Sequence, residues 1–227
     1  MSHYEKAWQA VAERIGRAVT AAGRAPGSVR LLAVSKTFPA EAVRAVHAAG
    51  QRAFGENHVQ EGAAKRQVLA GLTDVEWHLI GPLQANKTRL AAATFDWVES
   101  VDRLKIAERL AAQRPSSQAP LNVCIQVNVS GEASKSGVAP AEALALARAV
   151  SNLPNLLLRG IMGIPEPTDD TSRQRAQFRL LRDCRDECVA AGLAMDTLSM
   201  GMSADLEAAI AEGATQVRVG TAIFGTR

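Results

Sequence analysis

Cysteines, aromatic residues and basic runs are all scarce in this sequence. Three cysteines are too few, and odd in number, for a disulfide framework, which excludes the disulfide-stabilised secreted domains. Three Trp, one Tyr and five Phe, with no cluster of Lys and Arg, disfavour nucleic acid as a partner despite the net charge of +3. No apolar run has membrane-spanning length and no apolar signal core follows the start. We therefore expect a cytoplasmic protein without a membrane partner.

The remaining composition is that of an ordinary globular protein. Hydrophobic residues make up 47% of the 227 residues and charged residues 22%. A chain of this length can bury one sizeable core, and no low-complexity linker divides it. We expect a single domain over residues 1–227, and a monomer because no segment resembles an assembly domain.

Short apolar runs alternate with longer helical patterns along most of the chain. A first amphipathic helix is predicted over residues 3–22, and further helices follow most of the strands. Eight strands are predicted, at residues 29–36, 52–55, 76–81, 95–101, 121–129, 156–164, 197–200 and 216–220. Eight strand–helix units favour a single-domain (β/α)8 TIM barrel of the α/β class, with an extra N-terminal helix. The alternative, a doubly wound open sheet, lacks its glycine-rich turn after the first strand.

Lys36 is the lysine that ends an apolar strand, in Ala33-Val34-Ser35-Lys36. Active sites of barrels lie at this end of the strands. Burial there would disfavour the ammonium form, so the amine would be able to attack an aldehyde and form a Schiff base. The position predicts covalent chemistry with a carbonyl ligand.

The last two strands end in segments suited to an anion. Strand seven leads into Ser199-Met200-Gly201-Met202-Ser203, where small residues expose backbone N–H groups and Ser203 can cap the next helix. Strand eight leads into Gly220 and Thr221, at the place where barrels commonly hold a phosphate. The two segments together predict a phosphate site.

Strand alternation places Arg218 inside the barrel, because Val217 and Val219 face the helices. An interior guanidinium either pairs with a buried carboxylate or donates to an acceptor on a ligand. Pyridoxal 5'-phosphate (PLP) combines an aldehyde for Lys36, a phosphate and a ring acceptor.

The sequence resembles the pyridoxal phosphate homeostasis proteins, a single-domain family related to the alanine racemase barrel. The resemblance covers almost the whole chain and rests on motifs at residues 33–36, 54–57, 77–87, 126–129, 134–137, 158–162, 199–203 and 217–225. It implies cofactor contacts by Lys36 as the Schiff-base residue, Asn57 beside the ring, Arg218 at the pyridine nitrogen, and, at the phosphate, Ser199, the Met200 backbone, Gly220 and Thr221. No catalytic or metal-binding residue is assigned.

Four further residues bear on the resemblance. His78 is either a site residue or an interior polar residue, and Lys135 is either a site residue or a solvated loop charge. His58 stands where the family often has tyrosine, and Glu99 where histidine is frequent. Neither departure is expected to touch the cofactor contacts.

The resemblance implies a protein that holds PLP reversibly and contributes to vitamin B6 homeostasis, with apo PLP enzymes as possible recipients. Racemisation with two bases is not expected, because the one tyrosine, Tyr4, lies on the first helix and no second β domain is evident. The enzymatic alternative is a one-base PLP-dependent racemase, decarboxylase or lyase of the alanine racemase fold. A phosphosugar aldolase would also use a lysine and a phosphate site, but it would leave Arg218 without a role.

Overall fold

The computed structural model of the protein describes residues 2–131 and 136–226. Within these ranges, eight strands alternate with helices. The strands are β1 (Arg30–Val34), β2 (Ala53–Glu56), β3 (Glu76–Leu79), β4 (Trp97–Val101), β5 (Leu121–Val127), β6 (Leu156–Gly163), β7 (Thr197–Ser199) and β8 (Gln216–Val219). The helices are α1 (His3–Ala21), α2 (Ala40–Ala48), α3 (Val59–Val68), α4 (Thr88–Thr94), α5 (Leu104–Gln113), α6 (Ala143–Ser151), α7 (Thr171–Ala190), α8 (Leu206–Ala211) and α9 (Thr221–Phe224).

The strands form one closed parallel barrel in chain order. The barrel closes where β1 pairs with β8, with Leu31 beside Val217 and Leu32 beside Arg218. Each parallel step needs a crossover, and the intervening helices supply it on the outside of the sheet. The predicted (β/α)8 barrel is therefore confirmed, and the open doubly wound sheet is excluded.

The main hydrophobic core lies between the strands and the outer helices. Large side chains such as Phe54, Phe95 and Phe178 are fully buried there. Val217 and Val219 belong to this outer core, whereas Arg218 faces the barrel interior, as the alternation predicts. The interior is thus free to carry polar side chains, as long as each finds partners.

The extra helix α1 begins with a capping box, in which Ser2 and Glu5 bond to each other's backbone N–H. Its apolar face, which includes Val11, Ile15 and Val19, is buried against the barrel. Among the described residues, no helix is both long enough and apolar enough to cross a bilayer.

Two helical segments were not predicted, α4 with the turn before it and the short α9. A 3-10 turn over Ala85–Lys87 leads directly into α4, and neither has a side chain capping its start. The usual N-terminal signal is therefore absent from the sequence at this point. The three cysteines, Cys124, Cys184 and Cys188, are buried and free.

Candidate functional site

A cavity of about 590 Å³ opens at the barrel end where the strands finish. This is the end at which TIM barrels carry their active sites. Five of the seven predicted cofactor residues line its wall, namely Lys36, Asn57, Arg218, Gly220 and Thr221. Residues that are far apart in the sequence therefore line the same cavity.

Lys36 follows β1 in a tight turn with unusual backbone geometry. Thr37 has a φ of 68°, a left-handed conformation that β-branched residues rarely adopt. The N–H of Thr37 donates to the Glu61 carboxylate, and the N–H of Phe38 donates to the Ser35 carbonyl at 3.1 Å. These bonds fix the backbone on either side of Lys36, whose own side chain is exposed at the cavity.

The buried lysine of this region is Lys65, on α3. Its Nζ donates to the Ser35 carbonyl at 2.6 Å and to Glu56 and Glu61 carboxylates at 2.8 Å each. The Ser35 hydroxyl donates to the same Glu56 oxygen at 2.6 Å. We call Ser35, Glu56, Glu61 and Lys65 the Lys65 cluster. The expectation that Lys36 is desolvated is wrong for the protein alone, because Lys65 takes the buried position beneath the turn.

The pKa values of the two carboxyl groups in the Lys65 cluster are shifted in opposite directions. Burial raises the pKa of Glu56 above its ordinary value, and the bonds from Lys65 and Ser35 offset this only in part. Burial also acts to raise the pKa of Glu61, but the bonds from Lys65 and the Thr37 N–H outweigh it, so the pKa is lowered. One oxygen of Glu56 is buried without a hydrogen-bond partner among the described residues.

Arg218 reaches the cavity wall from inside the barrel. Its Nη1 donates to the carbonyl and the hydroxyl of Ser199, at 2.7 and 2.8 Å, and its Nη2 donates to the Gly163 carbonyl at 2.8 Å. Burial lowers the pKa of Arg218, and the charges of Glu99 and Asp205 oppose that shift. Within the described ranges no carboxylate forms a direct ion pair with Arg218. Three of its five N–H groups are used by these bonds.

Glu99 of β4 lies at the centre of a buried network beneath Arg218. Its Oε1 is 2.6 Å from His78 Nδ1 and accepts from Gln216 Nε2 at 2.7 Å, while its Oε2 accepts from the Ser199 hydroxyl at 2.5 Å. We call Glu99, His78, Ser199 and Gln216 the Glu99 network. The expectation that Glu99 stands apart from the predicted contacts is wrong, because it bonds to Ser199.

The Glu99 network contains opposite charges. Burial tends to raise the pKa of Glu99, but His78 and the charge of Arg218 outweigh it, so the pKa is lowered. Burial tends to lower the pKa of His78, but the carboxylates of Glu76 and Glu99 outweigh it, so the pKa is raised. His78 is fully buried and stacks on Trp97, with ring centroids 5.0 Å apart. It is therefore an interior polar residue and does not line the cavity.

Hydroxyl groups from the last two strand ends meet at one side of the cavity. The hydroxyls of Ser203 and Thr221 lie 3.3 Å apart, and both residues line the wall with Gly220. The preceding loop turns at Gly201, where φ is 93° and a Cβ would lie 2.5 Å from the Ala209 side chain. This loop brings Ser203 to the cavity wall.

Ser199 and Met200 are not on the cavity wall, although both were predicted phosphate contacts. Ser199 is fully buried, and its hydroxyl bonds to Glu99 and Arg218. The Met200 N–H donates to the Gln216 carbonyl at 3.1 Å, so it is used within the sheet. Contacts of Ser199 and the Met200 backbone with the phosphate therefore stay a prediction.

Arg14 of α1 supports the loop from outside the barrel. Its Nη1 donates to the Ser203 carbonyl at 2.8 Å, and its Nε and Nη2 donate to the Glu207 carboxylate at 2.6 Å each. The bond to Glu207 raises the pKa of Arg14, and the same pair lowers the pKa of Glu207. The sequence offered no signal for this contact, since Arg14 lies on a surface helix distant in the chain.

Asn57, Tyr4 and Lys135 were also considered in the sequence. Asn57 packs at Gly81, where an added Cβ would lie 2.2 Å from the Asn57 carbonyl oxygen. Tyr4 packs against Phe224, with ring centroids 6.1 Å apart, and does not line the cavity. Lys135 lies outside the described residues.

Comparison with known proteins places the chain in a family. The model of the alanine racemase N-terminal domain matches residues 8–227. A Pseudomonas aeruginosa protein named pyridoxal phosphate homeostasis protein is 62% identical over 96% of this chain and 93% of its own length. The Escherichia coli K12 protein of the same name is 53% identical, over 96% of this chain and 94% of its own length.

Solved structures agree with this assignment. The structure of PipY from Synechococcus elongatus with PLP bound has a TM-score of 0.82 and 41% identity, and covers 93% of this chain and 100% of that chain. The chain thus belongs to the pyridoxal phosphate homeostasis protein family, which shares the barrel of the alanine racemase N-terminal domain.

Proposed function

We propose that this protein binds PLP reversibly in the barrel-end cavity and thereby contributes to vitamin B6 homeostasis, with little or no turnover of amino acids. The observation that carries the proposal is the convergence of an amine, a guanidinium and two hydroxyls on one cavity, through Lys36, Arg218, Ser203 and Thr221. The names of the relatives supply the homeostatic role.

Residues of the cavity wall match the two reactive groups of PLP, its aldehyde and its phosphate. Lys36 presents an exposed amine on a turn that the Lys65 cluster holds in place, and this amine would bond to the aldehyde carbon with loss of one water. Where β7 and β8 end, the hydroxyls of Ser203 and Thr221 and the backbone at Gly220 would hold the phosphate. This assignment keeps Gly220 and Thr221 from the predicted contacts and adds Ser203, which lines the same wall.

Arg218 fits the ring nitrogen. A guanidinium donates hydrogen bonds and does not accept them, so a nitrogen that accepts from it remains unprotonated. When bound, PLP supplies an electron sink, which is strongest when its ring nitrogen is protonated. Arg218 would therefore weaken that sink. Asn57 would lie beside the ring, as its position on the wall allows.

The cavity wall also favours binding over turnover. Among its described residues, Lys36 is the lone general-base candidate, because Arg218 stays protonated and the other lining side chains do not titrate near neutral pH. Tyr4 packs against Phe224 and does not line the cavity, so it is not placed to act as a second base. A protein with one base can hold and release the cofactor, and apo PLP enzymes would be its recipients.

The test is to reduce the PLP-loaded protein with borohydride and locate the pyridoxyl group by peptide mass. We expect the visible band to bleach and the label to appear on Lys36. Lys36→Ala should lose the label but retain weakened binding, while the surface variant Lys105→Ala should behave as wild type. No visible band after PLP is added, or a label on another lysine, would contradict the proposal.

Turnover is tested separately, by following exchange of the amino-acid α-proton in deuterated water with a panel of L-amino acids. We expect exchange no faster than that caused by free PLP. Rapid exchange by wild type that is lost in Lys36→Ala would support the one-base enzyme instead.

A further inference from the structure

The Glu99 carboxylate uses both of its oxygens as acceptors. Oε1 faces the Gln216 amide at 2.7 Å and His78 Nδ1 at 2.6 Å, and Oε2 faces the Ser199 hydroxyl at 2.5 Å. Glu99 is fully buried, and its lowered pKa indicates the ionised form. An ionised carboxylate accepts only, so all three partners must donate to it.

This arrangement fixes the hydroxyl proton of Ser199. Because that proton is donated to Glu99, the Ser199 oxygen is left to accept, and it accepts from Arg218 Nη1 at 2.8 Å. The Ser199 carbonyl accepts the second Nη1 proton at 2.7 Å. The Ser199 and Gly163 carbonyls supply two of the three bonds that orient the guanidinium, and the third depends on a carboxylate to which Arg218 does not bond directly.

We propose that Glu99 is a positioning residue that sets the Arg218 guanidinium through Ser199, and so determines how strongly the site prefers a ligand with a ring nitrogen. This inference rests on the proposed function, because it concerns the same cavity. It adds that a residue of β4, which does not itself line the cavity, controls the ligand specificity of the site. His78 supports the control by holding the second oxygen of Glu99.

Glu99→Gln is the perturbation that isolates this role. Glutamine presents one acceptor oxygen and one NH2 donor, whereas the site requires acceptors at both positions. Its NH2 must therefore face either the Ser199 hydroxyl or the donors of Gln216 and His78. Two donors face the Oε1 position and only the Ser199 hydroxyl faces the Oε2 position, so we expect the glutamine carbonyl toward Gln216 and His78 and its NH2 toward Ser199. This placement removes the acceptor of the Ser199 hydroxyl and disturbs the bond pattern that holds Arg218, with almost no change in side-chain volume.

The experiment compares the affinity for PLP with the affinity for 1-deazapyridoxal phosphate, in which a carbon replaces the ring nitrogen. We expect wild type to bind PLP about tenfold more tightly, the size expected for one hydrogen bond from a charged donor. Glu99→Gln and Ser199→Ala should each lose most of this preference, which is measured in each variant as the ratio of its two affinities. Ser199→Ala serves as the second variant in case Glu99→Gln folds poorly.

Glu212→Gln is the matched control. Glu212 is also a buried carboxylate, but it accepts from Arg175, Arg179 and Arg182 on the outer surface of the barrel. This variant should keep the full preference for PLP, even if it unfolds more readily. A general loss of stability would therefore not imitate the effect of Glu99→Gln.

Nitrogen-15 NMR of the ligand-free protein gives a readout that needs no cofactor. The two Nη1 protons of Arg218 are held by Ser199, so we expect slowly rotating, separately resolved signals in wild type. These signals should broaden or merge in Glu99→Gln and in Ser199→Ala.

The outcomes separate the two proposals. Failure of wild type to bind PLP would overturn the proposed function. Normal PLP binding with an unchanged preference over the deaza compound in both variants would overturn the role of Glu99 and leave the proposed function standing.

Discussion

Replacing Lys65 by methionine should strongly destabilise the protein. Lys65 is 8% exposed, and Glu56 beside it is fully buried, so the substitution leaves an uncompensated carboxylate in the barrel wall. Methionine keeps most of the length of the side chain and removes the three donor bonds of Nζ. The assay is urea unfolding of Lys65→Met and wild type.

The expected loss follows from the burial of the pair. Breaking a buried ion pair by removing one partner costs about 3–5 kcal/mol. Glu56 already has one oxygen without a described partner, so it has no spare hydrogen bond with which to compensate. We expect the free energy of unfolding at pH 8 to fall by about 3 kcal/mol or more.

The loss should shrink as the pH falls toward 5. In the folded variant the pKa of Glu56 is raised further above its unfolded value, so ionisation destabilises the variant as pH rises between the two values. In wild type the lowered pKa of Glu61 contributes stability that is present above its unfolded pKa and lost at lower pH. Both effects make the difference between the proteins largest at alkaline pH.

Two controls define the refuting result. The double variant Lys65→Met with Glu56→Gln removes the uncompensated charge and should recover much of the loss. Arg17→Met breaks an exposed pair with Glu13 and should cost less than about 1 kcal/mol. A loss below about 1 kcal/mol for Lys65→Met that is independent of pH would refute the reasoning, since it would equal that of an exposed pair.

Two further changes probe the cavity wall. Gly81→Ala would place a Cβ 2.2 Å from the Asn57 carbonyl oxygen, so we expect lower stability in urea and weaker PLP binding as Asn57 moves away. Arg14→Ala removes the donor to the Ser203 carbonyl, and we expect severalfold weaker PLP binding in a fluorescence titration with little change in unfolding, because Arg14 is partly exposed.

Each of these has its own control. Gly71→Ala adds a Cβ with no heavy atom within 4 Å and should leave PLP binding unchanged. Equal effects of the two alanines would show that the close approach at Gly81 is unimportant. For Arg14→Ala, restoration of PLP affinity by Arg14→Lys would point to the charge alone, whereas continued weakness would support the directed bonds of the guanidinium.

The barrel was predictable because its sequence signals are local and repeated. Each strand is a short apolar run, and each crossover helix has its own periodicity, so eight units could be counted. The segment leading to α4 was missed because a 3-10 turn precedes it and no cap marks its start. The end of α1 differs from the prediction by one residue, since periodicity does not fix the exact end of a helix.

The site was only partly predictable. Residue type and strand position indicate whether a side chain faces the barrel interior, but they do not show whether it reaches the cavity. Lys36 and Arg218 were placed correctly at the cavity. Ser199 is buried away from the cavity wall, since alternation does not show where a strand ends relative to that wall. Glu99 was discounted, although a carboxylate within the apolar strand β4 signals a buried acceptor that needs donors. Lys65 gave no signal in the sequence of α3.

The pairing of β1 with β8 has a consequence for how the chain folds. Arg30 has its ladder partner at Gln216, so one edge of the first strand is without its neighbour until nearly the entire sequence has been synthesised. An exposed edge of an apolar strand can pair with other chains. Slow closure of such long-range pairs is expected to set the folding rate. The vulnerable stage for aggregation therefore comes before β8 docks, and destabilising β8 should lower the yield of folded protein more than equal destabilisation of a middle strand.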